Sequence, residues 1–140
     1  MNSYPESTPV VKTRTGRFAG TENAQGTKTF RGIPYARFNG RWRKLLELPD
    51  SGELFDARCT GPACPQVEVN PDWVKGIDRI RFDEENCFHL DISTSDTEQK
   101  KPVFVYIHGG ANICGGTFNL EMSTERFVDA CPGIVSVIFN

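Results

Sequence analysis

The residues best suited to chemistry lie in one short stretch, Gly109-Gly110-Ala111-Asn112-Ile113-Cys114-Gly115-Gly116-Thr117. It follows Pro102-Val103-Phe104-Val105-Tyr106-Ile107, a β-branched run apolar on both faces, as buried parallel strands are. Small residues after such a strand let successive backbone N–H groups turn toward one point. Two chemistries use that arrangement. In a phosphate cradle, Gly110, four residues and then Gly115-Gly116-Thr117 approach the P-loop spacing, but Gly116 stands where the phosphate-binding lysine belongs. In an oxyanion hole, the N–H groups stabilise charge developing on a carbonyl oxygen during acyl transfer, and losing one donor costs about 3–4 kcal/mol. A tight turn packed under a following helix needs the same small residues and performs no chemistry.

Other reactive types are scattered. Ser3, Ser7, Ser51, Ser93, Ser95, Ser123 and Ser136 all lack the Gly-x-Ser-x-Gly frame of an activated nucleophile. Cys59, Cys64, Cys87 and His89 offer three thiols and an imidazole. The four residues between Cys59 and Cys64 reach the upper limit of a zinc knuckle, and Cys87 and His89 share a strand face. No metal is assigned to them. Cys114 and Cys131 read as buried free thiols. Arg37, Arg41, Arg43 and Lys44, with Phe38 and Trp42 among them, could form a phosphate patch with stacking aromatics. With a net charge of −2, a loop whose cations meet neighbouring carboxylates is the simpler reading, and no nucleic-acid partner is expected.

The elements that must position these residues follow from pattern. At 140 residues the chain suits one domain. Residues 1–9 read as a disordered lead-in, and residues 10–140 as one partial domain. Val10–Thr15, Arg17–Thr21 and Thr27–Arg31 read as a small antiparallel meander, with a turn at Asn23–Gly26 and the chain leaving the sheet at Gly32-Ile33-Pro34. Leu48–Asn70 reads as mostly loop, Trp73–Ile80 as a short helix or more loop, and Cys87–Ile92 as a strand. Pro102–Ile107, a helix over Leu120–Ala130 carrying Phe127 and Ala130 at i, i+3, and Ile134–Phe139 make a βαβ unit. Interior parallel strands need neighbours and cover that these elements do not supply. The chain is therefore expected to belong to a larger fold or to be completed by a partner chain. No apolar run approaches the roughly 20 residues of a membrane span, and Met1–Val11 has no leader pattern.

Four segments, in order, resemble the type-B carboxylesterase and cholinesterase family. They are Phe30-Arg31-Gly32-Ile33-Pro34-Tyr35-Ala36, Gly61-Pro62-Ala63-Cys64-Pro65-Gln66, Glu85-Asn86-Cys87-Phe88-His89-Leu90-Asp91-Ile92 and Pro102–Ala111. The third is similar to a Glu-Asp-Cys-Leu-x-Leu-Asn signature. The fourth is similar to a Pro-Val-x-Val-x-Ile-His-Gly-Gly-Ala strand and loop. The family's Pro-Pro-x-Gly stretch is missing before Arg41, Asn112 stands where an aromatic is usual, and Gly116 where a serine is usual.

The resemblance implies an α/β fold, the N-terminal part of an α/β-hydrolase, in which a small meander precedes strands of the central mixed sheet. It implies hydrolysis of a small-molecule carboxylic ester by a serine esterase, without a cofactor. Gly110 and Ala111 would be oxyanion donors and Gly109 would shape their loop. Cys64 and Cys87 would form a disulfide worth about 3 kcal/mol, and Glu85 would pair with Arg41 structurally. The family's nucleophile elbow, acid and base would lie beyond this chain, which has no catalytic triad and is expected to be inactive alone. The same family includes catalytically dead adhesion domains, the alternative reading. The compartment stays open: no leader is seen, making the cytoplasm the default, whereas the implied disulfide belongs to a secreted or lumenal protein.

Overall fold

The computed structural model describes residues 8–67, 80–119 and 123–140. Two sheets are formed. A three-stranded sheet has the order β1-β2-β5, with β1 Val10–Thr13, β2 Gly16–Ala19 and β5 Leu54–Asp56. A five-stranded sheet has the order β3-β4-β6-β8-β7, with β3 Thr21–Glu22, β4 Lys28–Pro34, β6 His89–Thr94, β7 Val103–Ile107 and β8 Val135–Phe139. One helix, α1 Thr124–Ala130, connects β7 to β8, which pair in parallel.

The expected meander is divided between these sheets. β1 and β2 pair antiparallel, but β4 joins the larger sheet, and β5 completes the smaller one in parallel with β2. β5 arises in a region expected to be loop. It is three residues long and exposed, so it carries little hydrophobic signal. Gly32-Ile33-Pro34 does not leave the sheet. The register against β6 shifts between Phe30 and Ile33, and the Gly32 N–H turns out of the ladder to Asp91 Oδ1 at 2.8 Å. Pro34 then sits at the strand end, where its missing donor costs least. Phe18, Phe30 and Ala57 pack together, with Val11 and Ile33 against them.

Helix α1 starts at its N-cap Ser123, whose hydroxyl accepts from the Arg126 N–H. The expected earlier start at Leu120 falls on residues outside those described, as do nearly all of the 73–80 segment and most of the lead-in. Thr124 and Val128 are the buried helix residues, whereas Phe127 is 44% exposed and stacks on Phe104 at 4.7 Å. Polar hooks set this rotation. Arg31 Nη2 pairs with Glu125 at 2.5 Å, and Thr27 Oγ1 donates to Asp129 Oδ1 at 2.6 Å.

The faces of the large sheet differ sharply. On one, His89, Asp91 and Ser93 of β6 are buried beside Ser136 and Ile138 of β8. A hydroxyl chain runs there from Thr29 through Ser93 to Thr124, with steps of 2.9 and 2.8 Å. On the other face, Val103, Val105 and Ile107 of β7 align with Val135, Val137 and Phe139 of β8. Val103 is 62% and Ile107 74% exposed. β7 was expected as a buried strand; here it is an edge strand whose apolar face is open.

Two stability predictions follow from the polar face. Replacing Ser93 by Ala leaves two buried hydroxyls short of a partner and should cost about 1–3 kcal/mol, read as a lower urea midpoint. Burial pushes the Asp91 carboxyl above its usual range, against the smaller pull of the Gly32 N–H. A raised folded-state value means that Asp91 favours folding most when protonated. That contribution is complete below the unfolded carboxyl's pKa and is lost as pH climbs through the raised one. Asp91→Asn keeps an acceptor for Gly32. It should therefore raise the melting temperature at pH 7 and shrink the gain toward pH 3; an equal change at both pH values would contradict this.

Candidate active site

The loop after β7 is shaped by locks on its carbonyl groups. His108 Nδ1 lies 2.8 Å from the Gly109 oxygen, which can only accept, so Nδ1 carries the proton. The Gly110 oxygen accepts from the Ile113 N–H at 3.0 Å, the Cys114 N–H at 3.1 Å and the Cys114 thiol at 3.4 Å. A peptide unit is planar and trans, so its C=O and N–H point in opposite directions. Holding the Gly109 carbonyl therefore aims the Gly110 N–H, and holding the Gly110 carbonyl aims the Ala111 N–H. Among the described residues, neither amide has an acceptor of its own.

Local backbone energetics agree with a shaped loop. Gly110 has φ 132°, and a Cβ there would run into the Cys114 carbonyl. Ala111 and Asn112 follow in left-handed conformations, at φ 54° and 60°. Asn tolerates that region better than Ala. Each such residue stores on the order of 1 kcal/mol, which the surrounding bonds must hold. Gly109 and Ala111 are exposed. Three cavities, of about 580, 530 and 350 Å³, lie elsewhere, and none of these three is lined by Gly109, Gly110 or Ala111.

Cys64 and Cys87 are neighbouring free thiols that line one cavity of about 530 Å³, and the Cys87 thiol donates to the Glu84 oxygen at 3.6 Å. Burial, and then the neighbouring Cys64, push the Cys87 thiol up to about 12. Cys59 and Cys131 are exposed and Cys114 is half-buried, so the reading of Cys114 and Cys131 as buried thiols does not hold. Cys131 caps the C-terminus of α1, at the surface. His89 is buried, with Nε2 2.8 Å from the Pro62 oxygen. Among the described residues, no group of three or more possible metal ligands is assembled.

The expected Arg41–Glu85 pair takes a different form. The Arg41 guanidinium forks onto Glu84, through Nε to Oε1 and through Nη2 to Oε2 at 2.7 Å. Asp83 Oδ1 accepts from the N–H groups of both Glu85 and Asn86, and this turn sends neighbouring side chains in different directions. Glu85 instead lines the 580 Å³ cavity with Arg37 and Phe38. The basic stretch forms a loop closed by paired backbone bonds between Arg37 and Leu46, with Trp42 fully exposed.

Sequence reasoning missed Gln66 and Asn140 as loop contacts. Gln66 Oε1 accepts from the Gly115 N–H at 2.9 Å, and its Nε2 donates to the Gly115 oxygen at 3.0 Å. Asn140 Oδ1 accepts from the Thr117 N–H at 2.9 Å. Gln66 already stood within the second resembling segment, but its reach of 49 positions along the chain left no local signal.

A mixed sheet with a parallel βαβ unit and an open amide loop at the C-terminal end of a strand define a partial α/β-hydrolase fold. The carboxylesterase family model matches residues 7–140, and the chain belongs to that family. It is 35% identical over 115 residues to Lipase 1 of Yarrowia lipolytica, covering 81% of this chain and 24% of the relative. It is 35% identical over 112 residues to para-nitrobenzyl esterase of Bacillus subtilis, covering 76% and 22%. A solved thermophilic PNB esterase superposes with a TM-score of 0.80 at 27% identity, over 96% of this chain and 28% of that one. The chain thus spans about a quarter of the length of the curated relatives it matches.

Thiol chemistry gives a direct check. With so high a pKa, Cys87 holds almost no thiolate at pH 8. Brief iodoacetamide treatment of the reduced native protein should label Cys59 and Cys131 and leave Cys87 unlabelled by mass spectrometry; rapid labelling of Cys87 would contradict the buried, paired geometry.

Proposed function

We propose that this chain is the N-terminal quarter of a serine ester hydrolase and supplies two of its oxyanion donors. The N–H groups of Gly110 and Ala111 would face the acyl oxygen of a small carboxylic ester. As a hydroxyl supplied by the remaining part attacks the carbonyl carbon and gives its proton to a base from that same part, the C=O π electrons shift to that oxygen, and these amides stabilise it without having to reorganise. The observation that carries this reading is the carbonyl locking at Gly109 and Gly110, which leaves the two amides aimed and unpaired. The open apolar face of β7 and β8 supports a larger fold, because burying it requires further structure packed on that side. We also propose that Cys64 and Cys87 become a disulfide under oxidising conditions; non-reducing mass mapping would find them in one linked fragment.

Purified alone, the 140-residue chain should not turn over p-nitrophenyl acetate. The protein extended by the family's remaining part should do so and be blocked by a serine-directed inhibitor. Gly110→Ala in that protein should lower kcat by about 100–1000-fold, the cost of misplacing an oxyanion donor. Inhibitor-sensitive turnover by the short chain would overturn the assignment. An extended protein lacking the nucleophilic serine would instead point to an adhesion-type relative.

A further inference from the structure

The locked loop is itself held from outside by two side-chain carboxamides. Gln66 satisfies both backbone groups of Gly115, as a neighbouring strand residue would, and its Nε2 also donates to the Cys64 oxygen at 3.1 Å. Gly115 packs directly beneath the reactive turn. A Cβ on it would run into the Gly109 oxygen and stand 2.5 Å from His108 Nδ1. Those two atoms form the lock that aims the Gly110 amide. Any drift of Gly115 therefore acts on that lock.

Asn140 holds the next segment. Besides accepting from Thr117, it donates through Nδ2 to the Cys87 and Pro62 oxygens, each at 3.2 Å. One carboxamide thus ties the loop to the backbone of Cys64 and the other ties it to the backbone of Cys87. The segments bearing this cysteine pair become the base on which the loop stands.

We propose that Gln66, seconded by Asn140, is a positioning residue for the oxyanion amides, acting through Gly115 and the His108–Gly109 contact. This rests on the reading of Gly110 and Ala111 as oxyanion donors. Gln66 touches no reacting atom; it limits the excursions of the turn that carries the donors.

The test uses the extended protein with Gln66→Ala, Gln66→Glu and Asn140→Ala. Gln66→Ala should lower kcat roughly 10–100-fold, the loss expected for two or three hydrogen bonds of ordinary strength, with KM little changed. Gln66→Glu keeps an acceptor for the Gly115 N–H but loses the donor, and should fall between Gln66→Ala and the parent. Asn140→Ala should lower kcat less than Gln66→Ala does. Native-state hydrogen exchange should quicken at Gly110, Ala111 and Gly115 in Gln66→Ala, with the amides of β1 and β2 unchanged.

Unchanged kcat and exchange in an active parent would overturn the proposal. So would faster exchange throughout the fold, which would make Gln66 a general stability residue. A parent with no turnover, but with the same local exchange response, would overturn the oxyanion reading itself. Gln66 would then anchor a loop without catalytic consequence.

Discussion

The planarity of the peptide unit governs the shape of the loop after β7. Fixing the oxygens of Gly109 and Gly110 is enough to aim the next two N–H groups in the opposite directions. Three donors converge on the Gly110 oxygen. They help to hold Ala111 and Asn112 in a left-handed backbone that neither would choose alone.

The large sheet serves that turn by holding β7 parallel to β8. It is built inside out relative to a simple amphipathic sheet. Its covered face carries a polar ladder, His89, Asp91, Ser93 and Ser136, satisfied in large part by neighbouring backbone and hydroxyl groups. Its apolar face, along Val103, Val105 and Ile107, remains open. The polar face suits α1, whose acidic side chains meet Asn23, Thr27 and Arg31. The apolar face suits further packing, in keeping with a relative of which the match covers 24%.

The cysteine region joins these parts. Cys64 and Cys87 lie side by side, with the Arg41–Glu84 fork on the rim of the same cavity. Their backbone oxygens accept from the Gln66 and Asn140 side chains that reach Gly115 and Thr117. This thiol pair thus lies next to the supports of the candidate site.

Elements with strong local signals, and the small-residue loop that follows β7, were legible from residue order alone. β-branched runs at 103–107 and 135–139, and small residues at 109–111, need only short-range patterns to be read. Weak or long-range features escaped it. β5 is too short to show a pattern, and Gly32 absorbs a register shift that Pro34 alone suggested was an exit from the sheet. The ion pair moved from Glu85 to Glu84 because an Asp83 turn rotates the backbone there. Which carbonyls are locked, which face of β6 is buried, and that Gln66 reaches Gly115 were settled by the folded chain. Each of these depends on groups far apart along the chain, where spacing holds no periodic trace of contact.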